Sequence, residues 1–97
     1  MPKGYWIGHV SIDDPVAYEA YKAANAAVFA EFGAKFLVRG GAQEVREGDV
    51  RPRSVVIEFP TIGAAYACYD SAGYQSAKAL RDPVSTGDLV IVEGYDP

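Results

Sequence analysis

Hydrophobic and polar positions along the chain fall into six blocks with punctuation between them. GYWIGHVSI, residues 4–12, is short, aromatic and β-branched and ends at the polar DDP, which predicts a first strand. Asp14 and Pro15 then make a helix start. The aspartate oxygen can take up an unpaired amide, and proline suits the first helical position because it has no N–H to leave unpaired. The predicted helix covers 15–32, with Tyr18, Tyr21, Asn25, Phe29 and Phe32 on one narrow face and Ala20, Ala23, Ala27 and Ala30 behind it. Gly33 can end it in a left-handed conformation.

AKFLVRGGAQEVR and RSVVIEF flank the turn-like EGDVRP and predict a hairpin. With the turn centred between Gly48 and Asp49, Arg39 and Glu58 stand opposite each other, and Gly40 and Gly41 supply a bend or bulge beside the guanidinium. Thr61 can cap a second helix whose inward face is Ile62, Ala65, Tyr66 and Tyr69, and Ser71 a further short one, AGYQSAKALR, that stops near Pro83. DPVSTGD reads as a loop, and LVIVEGY as the last strand. Strand, helix, strand, strand, helix, strand is the split βαβ order of an α+β, ferredoxin-like domain, a four-stranded antiparallel sheet with helices on one face.

The strands themselves ask for more than helices can cover. SVVIEF and LVIVEG are nearly continuous apolar runs, the pattern of strands buried on both faces, yet the helices lie on one side only. The same face of a second copy, related by a two-fold axis, is the cheapest cover, so a homodimer through the sheet faces is expected.

Composition narrows the partners. The 97 residues fit a single domain over 1–97, and a formal charge of −4 without a basic run argues against nucleic acid. There is no apolar leader region at the start and no run long enough to span a membrane, and Cys68 is the lone cysteine; these features fit a cytoplasmic protein with no membrane partner. With one histidine and one cysteine far apart, a structural zinc site is not expected. RGG lacks the lysine and hydroxyl of a phosphate loop, and no cofactor motif is found.

The ordered pieces KGYWIGHV, DPVAYEAYKAANA, KFLVRGG, RPRSVVIEFP, YQSAKALR and DLVIVEGY give the chain, over essentially its whole length, a resemblance to the bacterial family of domains of unknown function numbered 1330. The resemblance implies a dimeric α/β barrel, in which the sheets of two ferredoxin-like subunits pair and the helices lie outside. That superfamily includes cofactor-free monooxygenases of aromatic polyketides, muconolactone isomerases, haem proteins like chlorite dismutase and stress-responsive dimers, so the resemblance implies a fold and leaves the reaction open. Two places depart from the family: Gly63, where a carboxylate would complete a capping box after Thr61, and DPVST, where an alanine-rich stretch is usual.

Candidate chemistry rests on few residues. Asn25, between Tyr21 and Phe29, either bonds a strand carbonyl inside the core or lines a pocket between helices and sheet. Tyr18, Tyr69 and Tyr74 are candidates to share that pocket, against the plainer reading of aromatic core. Arg39 either greets an anionic or phenolic ligand or neutralises Glu58. His9 and Glu58 are the candidate proton acceptors, and by superfamily analogy His9 could hold haem, though a strand histidine is more often a packing residue. Two functions stay open: a homodimer binding a small organic ligand, as a cofactor-independent oxygenase or isomerase, or a non-catalytic ligand-sensing or structural dimer.

Overall fold

The computed structural model describes residues 2–97, and the elements follow the expected order. β1 is Gly4–Ile12, α1 Pro15–Glu31, β2 Lys35–Arg39, β3 Arg53–Phe59, α2 Ile62–Asp70, α3 Ala72–Arg81 and β4 Ser85–Glu93, with one 3₁₀ turn, Asp82–Val84, before β4. The strands form one antiparallel sheet in the order β2-β3-β1-β4. Its Cα extents of 38 × 35 × 17 Å are those of a single helical layer on a single sheet. The domain is α+β and ferredoxin-like.

Local chemistry explains the helix ends. The Asp14 carboxylate accepts from Ala17 N at 3.1 Å, with Pro15 following it as the first helical residue. α1 then closes at Phe32, and Gly33 turns the chain at φ 70°. Thr61 Oγ1 caps α2 through Ala64 N, and Ser71 Oγ caps α3 through Tyr74 N.

Trp6, Val10, Ile57 and Phe59 fill the covered face of the sheet, under Tyr21, Val28, Phe29 and Tyr74 of the helices. Trp6 also donates its indole N–H to the Ala65 carbonyl at 2.9 Å, tying α2 to the sheet. α2 lies so close that a side chain on Gly4 would run into the backbone of Thr61 and Ile62.

Several expectations need correction. β2 is only Lys35–Arg39, and residues 40–52 form a long irregular connection rather than a tight turn at Gly48 and Asp49. The bulge lies at Leu37, between Phe36 and Val38, not at Gly40 or Gly41. Arg39 therefore pairs with Val55, while Glu58 pairs with Lys35 and Tyr5 on the other side of the sheet, so the expected Arg39–Glu58 pair does not form. On α2 the inward face is Ala65 and Cys68, with Tyr69 half-buried and Tyr66 half-exposed. The small residues face inward because the helix is drawn down onto Gly4 and Trp6. DPVSTGD is not all loop, since β4 begins at Ser85, opposite Ile12.

Candidate functional site

The covered face of the sheet changes character along the strands. Phe36, Ile57, Trp6 and Ile91 stand side by side in one row across all four strands. Arg39, Val55, Gly8 and Leu89 make the next row, and Arg53, Val10 and Gly87 the one after it. Apolar rings thus give way to guanidiniums over two steps of the pleat. The bulge at Leu37 matters here, because it returns Arg39 to the same face as Phe36, three residues earlier.

Gly8 and Gly87 lay no side chain on this floor, and a cavity of about 340 Å³ opens between it and helices α1 and α3. Because α1 starts where β1 ends, Tyr18 and Tyr21 lie over the cationic rows and Phe29 over the aromatic row. Trp6 packs edge-on against Phe29 at 5.3 Å and Tyr74 at 4.8 Å, and Phe29 against Phe36 at 5.5 Å between ring centroids. Across the cavity, the Arg53 guanidinium lies 6.0 Å from the Tyr18 ring, that of Arg81 5.6 Å from Tyr21, and that of Arg39 4.2 Å from Phe36. A chain with a formal charge of −4 has gathered Lys22, Arg39, Arg53, Lys78 and Arg81 on the wall of one cavity.

Three buried polar atoms on that wall have no hydrogen-bond partner: Asn25 Oδ1, Arg53 Nε and Arg81 Nε. Buried polar groups are rarely left so, since each unpaired one costs roughly 1–3 kcal/mol. Asn25 is 3% exposed, which rules out bulk water as its general remedy. One turn earlier on α1, the Tyr21 hydroxyl bonds that of Tyr74 at 2.8 Å. Burial, then the neighbouring Tyr21, raises the pKa of both Tyr18 and Tyr74, so these phenols stay protonated through the neutral range.

Asn25, Arg39, Tyr18, Tyr69 and Tyr74, singled out from the sequence, all line this one cavity. His9 and Glu58 do not. They share the opposite face with Tyr5 and Ile7, where His9 Nδ1 meets Ser54 Oγ at 3.0 Å and Glu58 accepts from Tyr5 Oη at 3.0 Å and Lys3 Nζ at 3.2 Å. Those bonds, from Lys3 and then Tyr5, hold the Glu58 carboxyl below its ordinary range. Strand alternation thus keeps the side chains of both residues, named as candidate proton acceptors, off the cavity wall.

Arg53 and Arg81 were the residues to miss. Their only signals were the parity of RSVVIEF, which puts Arg53 on the face of Val55 and Ile57, and the position of Arg81 in the last turn of a short helix. Among the described residues no group of three His, Cys, Asp or Glu side chains is placed to hold a metal.

Comparison with known proteins gives the cavity a family setting. The profile described as "Domain of unknown function (DUF1330)" matches residues 3–95. A protein of unknown function from Rhodopseudomonas palustris shares the fold with a TM-score of 0.76 at 18% identity, over 99% of this chain and 85% of that one. A cofactor-independent oxygenase from Streptomyces nogalater aligns with a TM-score of 0.63 at 17% identity, over 100% of this chain and 97% of its own. A dimeric ferredoxin-like protein of unknown function from Thermobifida fusca aligns with a TM-score of 0.61 at 19% identity, over 95% and 89%. No curated protein matches the sequence. At these identities the likeness to solved structures is one of fold.

Proposed function

The chain belongs to the DUF1330 family, and we propose that it is a homodimer whose subunits each bind a small aromatic anion in the cavity between helices and sheet. One observation carries this reading: two half-buried arginines, Arg53 and Arg81, hold buried Nε–H groups that are unpaired at one end of a cavity whose other end is built of aromatic rings. A planar oxyanion meets a guanidinium fork through two parallel bonds, and a ring behind it would pack on Trp6, Phe29 and Phe36. The volume of about 340 Å³ suits one or two rings.

Support for the dimer comes from the uncovered face of the sheet. Val38, Val56, Ile7 and Val90 stand in one unbroken row across all four strands, between a row of Lys35, Glu58, Tyr5 and Val92 and a polar row of Ser54, His9 and Asp88. Val90 is 56% exposed and Val38 41%. Such a stripe fits its own two-fold copy, and the Thermobifida fusca relative in fold is described as dimeric.

Catalysis as a cofactor-independent oxygenase or isomerase is the second reading. Its support is the guanidinium cluster, which would stabilise the enolate or phenolate form of a bound molecule, and the shared fold with the Streptomyces nogalater oxygenase. Against it, Asp82 on the wall is held by Lys78 at 2.8 Å, and the Asp88 side chain lies on the uncovered face, where Arg51 holds it at 3.2 Å. The non-catalytic, ligand-sensing role needs no proton acceptor, and binding is common to both.

Isothermal titration with benzoate and naphthoate tests the binding. Saturable uptake that weakens with salt and is lost in Arg53→Met and Arg81→Met is expected. Uptake that survives both substitutions would place the anion elsewhere.

A further inference from the structure

The cavity carries two unmet demands of opposite kind. The Nε–H groups of Arg53 and Arg81 ask for an acceptor, whereas Asn25 Oδ1 asks for a donor. A carboxylate is acceptor-only, so the anion that satisfies the guanidiniums leaves Asn25 as it is. Nothing else on the wall answers it, since Asn25 makes no side-chain hydrogen bond and sits between Tyr21 and Phe29 with 3% exposure.

The tyrosine pair beside it supplies the missing half of a pattern. Of two hydroxyls 2.8 Å apart one donates its proton to the other's oxygen, and either can be the donor. The accepting member keeps its own O–H to give, while the Arg81 guanidinium also donates toward the Tyr74 oxygen. Tyr21 and Asn25 are four residues apart on α1, so their side chains are neighbours on one helix face, both on the cavity wall. An acceptor and an adjacent spare O–H donor together match one functional group, a hydroxyl, which donates one hydrogen bond and accepts another.

From this juxtaposition we infer that Asn25, with the Tyr21–Tyr74 pair, reads a hydroxyl group on the ligand, so that the natural ligand class is a hydroxylated aromatic acid. Its anion lies toward Arg53 and Arg81 and its hydroxyl under the middle of α1. This deepens the anion-binding reading and rests on it. A site built around a hydroxyl rejects an analogue lacking it, because its own buried groups are then left unpaired.

Isothermal titration separates the two. The isomeric hydroxybenzoates are compared with benzoate, which lacks the hydroxyl, with phenol, which lacks the anion, and with the formylbenzoates, which carry a carbonyl in its place. At least one hydroxybenzoate should bind about tenfold or more tighter than benzoate and than phenol. In Asn25→Leu the ratio of that hydroxybenzoate to benzoate should fall to near one. Tyr21→Phe keeps the ring and should shrink the same ratio, which secures the test should leucine at position 25 unfold the protein. Equal binding of hydroxybenzoate and benzoate would overturn the hydroxyl site while the anion reading stands. A formylbenzoate binding tighter than any hydroxybenzoate would overturn it too, since the amide would then be turned to donate. If no carboxylate binds, both readings fail together.

Discussion

Arg39 and Glu58 lie on opposite faces of the same sheet. Arg39, beside Val55, spreads its guanidinium over Phe36 on the covered side, while Glu58, beside Tyr5, takes the Lys3 ammonium and the Tyr5 hydroxyl on the uncovered side. Opposite parity on neighbouring strands is enough to uncouple the two charges. Arg39 is accordingly free to serve the cavity and Glu58 the other surface.

A double-mutant cycle on Arg39→Met and Glu58→Gln should therefore be additive to within about 0.5 kcal/mol in urea unfolding. Coupling well beyond that would mean that the two groups meet in solution.

Gly40 has a role that composition alone would not assign. Its φ of 68° is left-handed, and a β-carbon there would overlap the Arg53 guanidinium, while its N–H bonds the Ser54 carbonyl at 2.9 Å. Gly40→Ala should cost about 1–2 kcal/mol from backbone strain alone. It should also displace Arg53 and weaken benzoate binding; an alanine variant with unchanged stability and uptake would detach Gly40 from the site.

Alkali should unfold this protein more readily than its charge suggests. Tyr18 and Tyr74 have pKa values raised above the ordinary 10.0 by burial and then by Tyr21, and burial, then Glu31, pushes the Cys68 thiol from 9.0 up to about 12. In each case the neutral form is the one the fold holds, so the stabilisation is complete below the unfolded-state pKa and is lost as pH rises through the folded one. Stability should decline from about pH 9, where the unfolded thiol begins to ionise. Thermal melts between pH 8 and 12 check this, and a flat Tm across that range would show that these side chains are not sequestered. Cys68 should also react with thiol reagents only as fast as the fold opens.

The sequence was most legible where one physical signal acted alone. Asp14, Pro15 and Gly33 marked α1 to within a residue, and the spacing of Tyr18, Tyr21, Asn25 and Phe29 gave its buried face. The β2–β3 register was illegible because it depends on a bulge at Leu37 and a connection of residues 40–52, neither of which leaves a period in the sequence. That one register put Arg39 on the cavity face and parted it from Glu58. α2 was misread for a different reason: tyrosine looks more like core than alanine or cysteine, yet close approach over Gly4 favours the small side chains. Arg53 and Arg81 needed the third dimension, since charged residues at an element's end are ordinarily solvated.

The last prediction concerns the row Val38, Val56, Ile7 and Val90. Each of the four strands contributes one β-branched residue to it; the row above is Lys35, Glu58, Tyr5 and Val92, and the row below turns polar with His9, Ser54 and Asp88. An isolated subunit would hold this stripe against water, and burying it against a two-fold copy recovers roughly 25 cal/mol per Å² of apolar surface. A charge in the middle of the stripe meets its own image near the axis, so one substitution is felt twice. Val90→Asp, at a position 56% exposed in the single chain, should leave the subunit folded and break the pair. Sedimentation velocity at micromolar concentration should show the native protein at about twice the 10.4 kDa chain mass and the variant at the chain mass itself. A native protein that sediments as a single chain would remove the dimer, and a variant that stays paired would move the interface away from this face. Val16→Asp, on the outer side of α1 and 84% exposed, serves as the control that should stay dimeric.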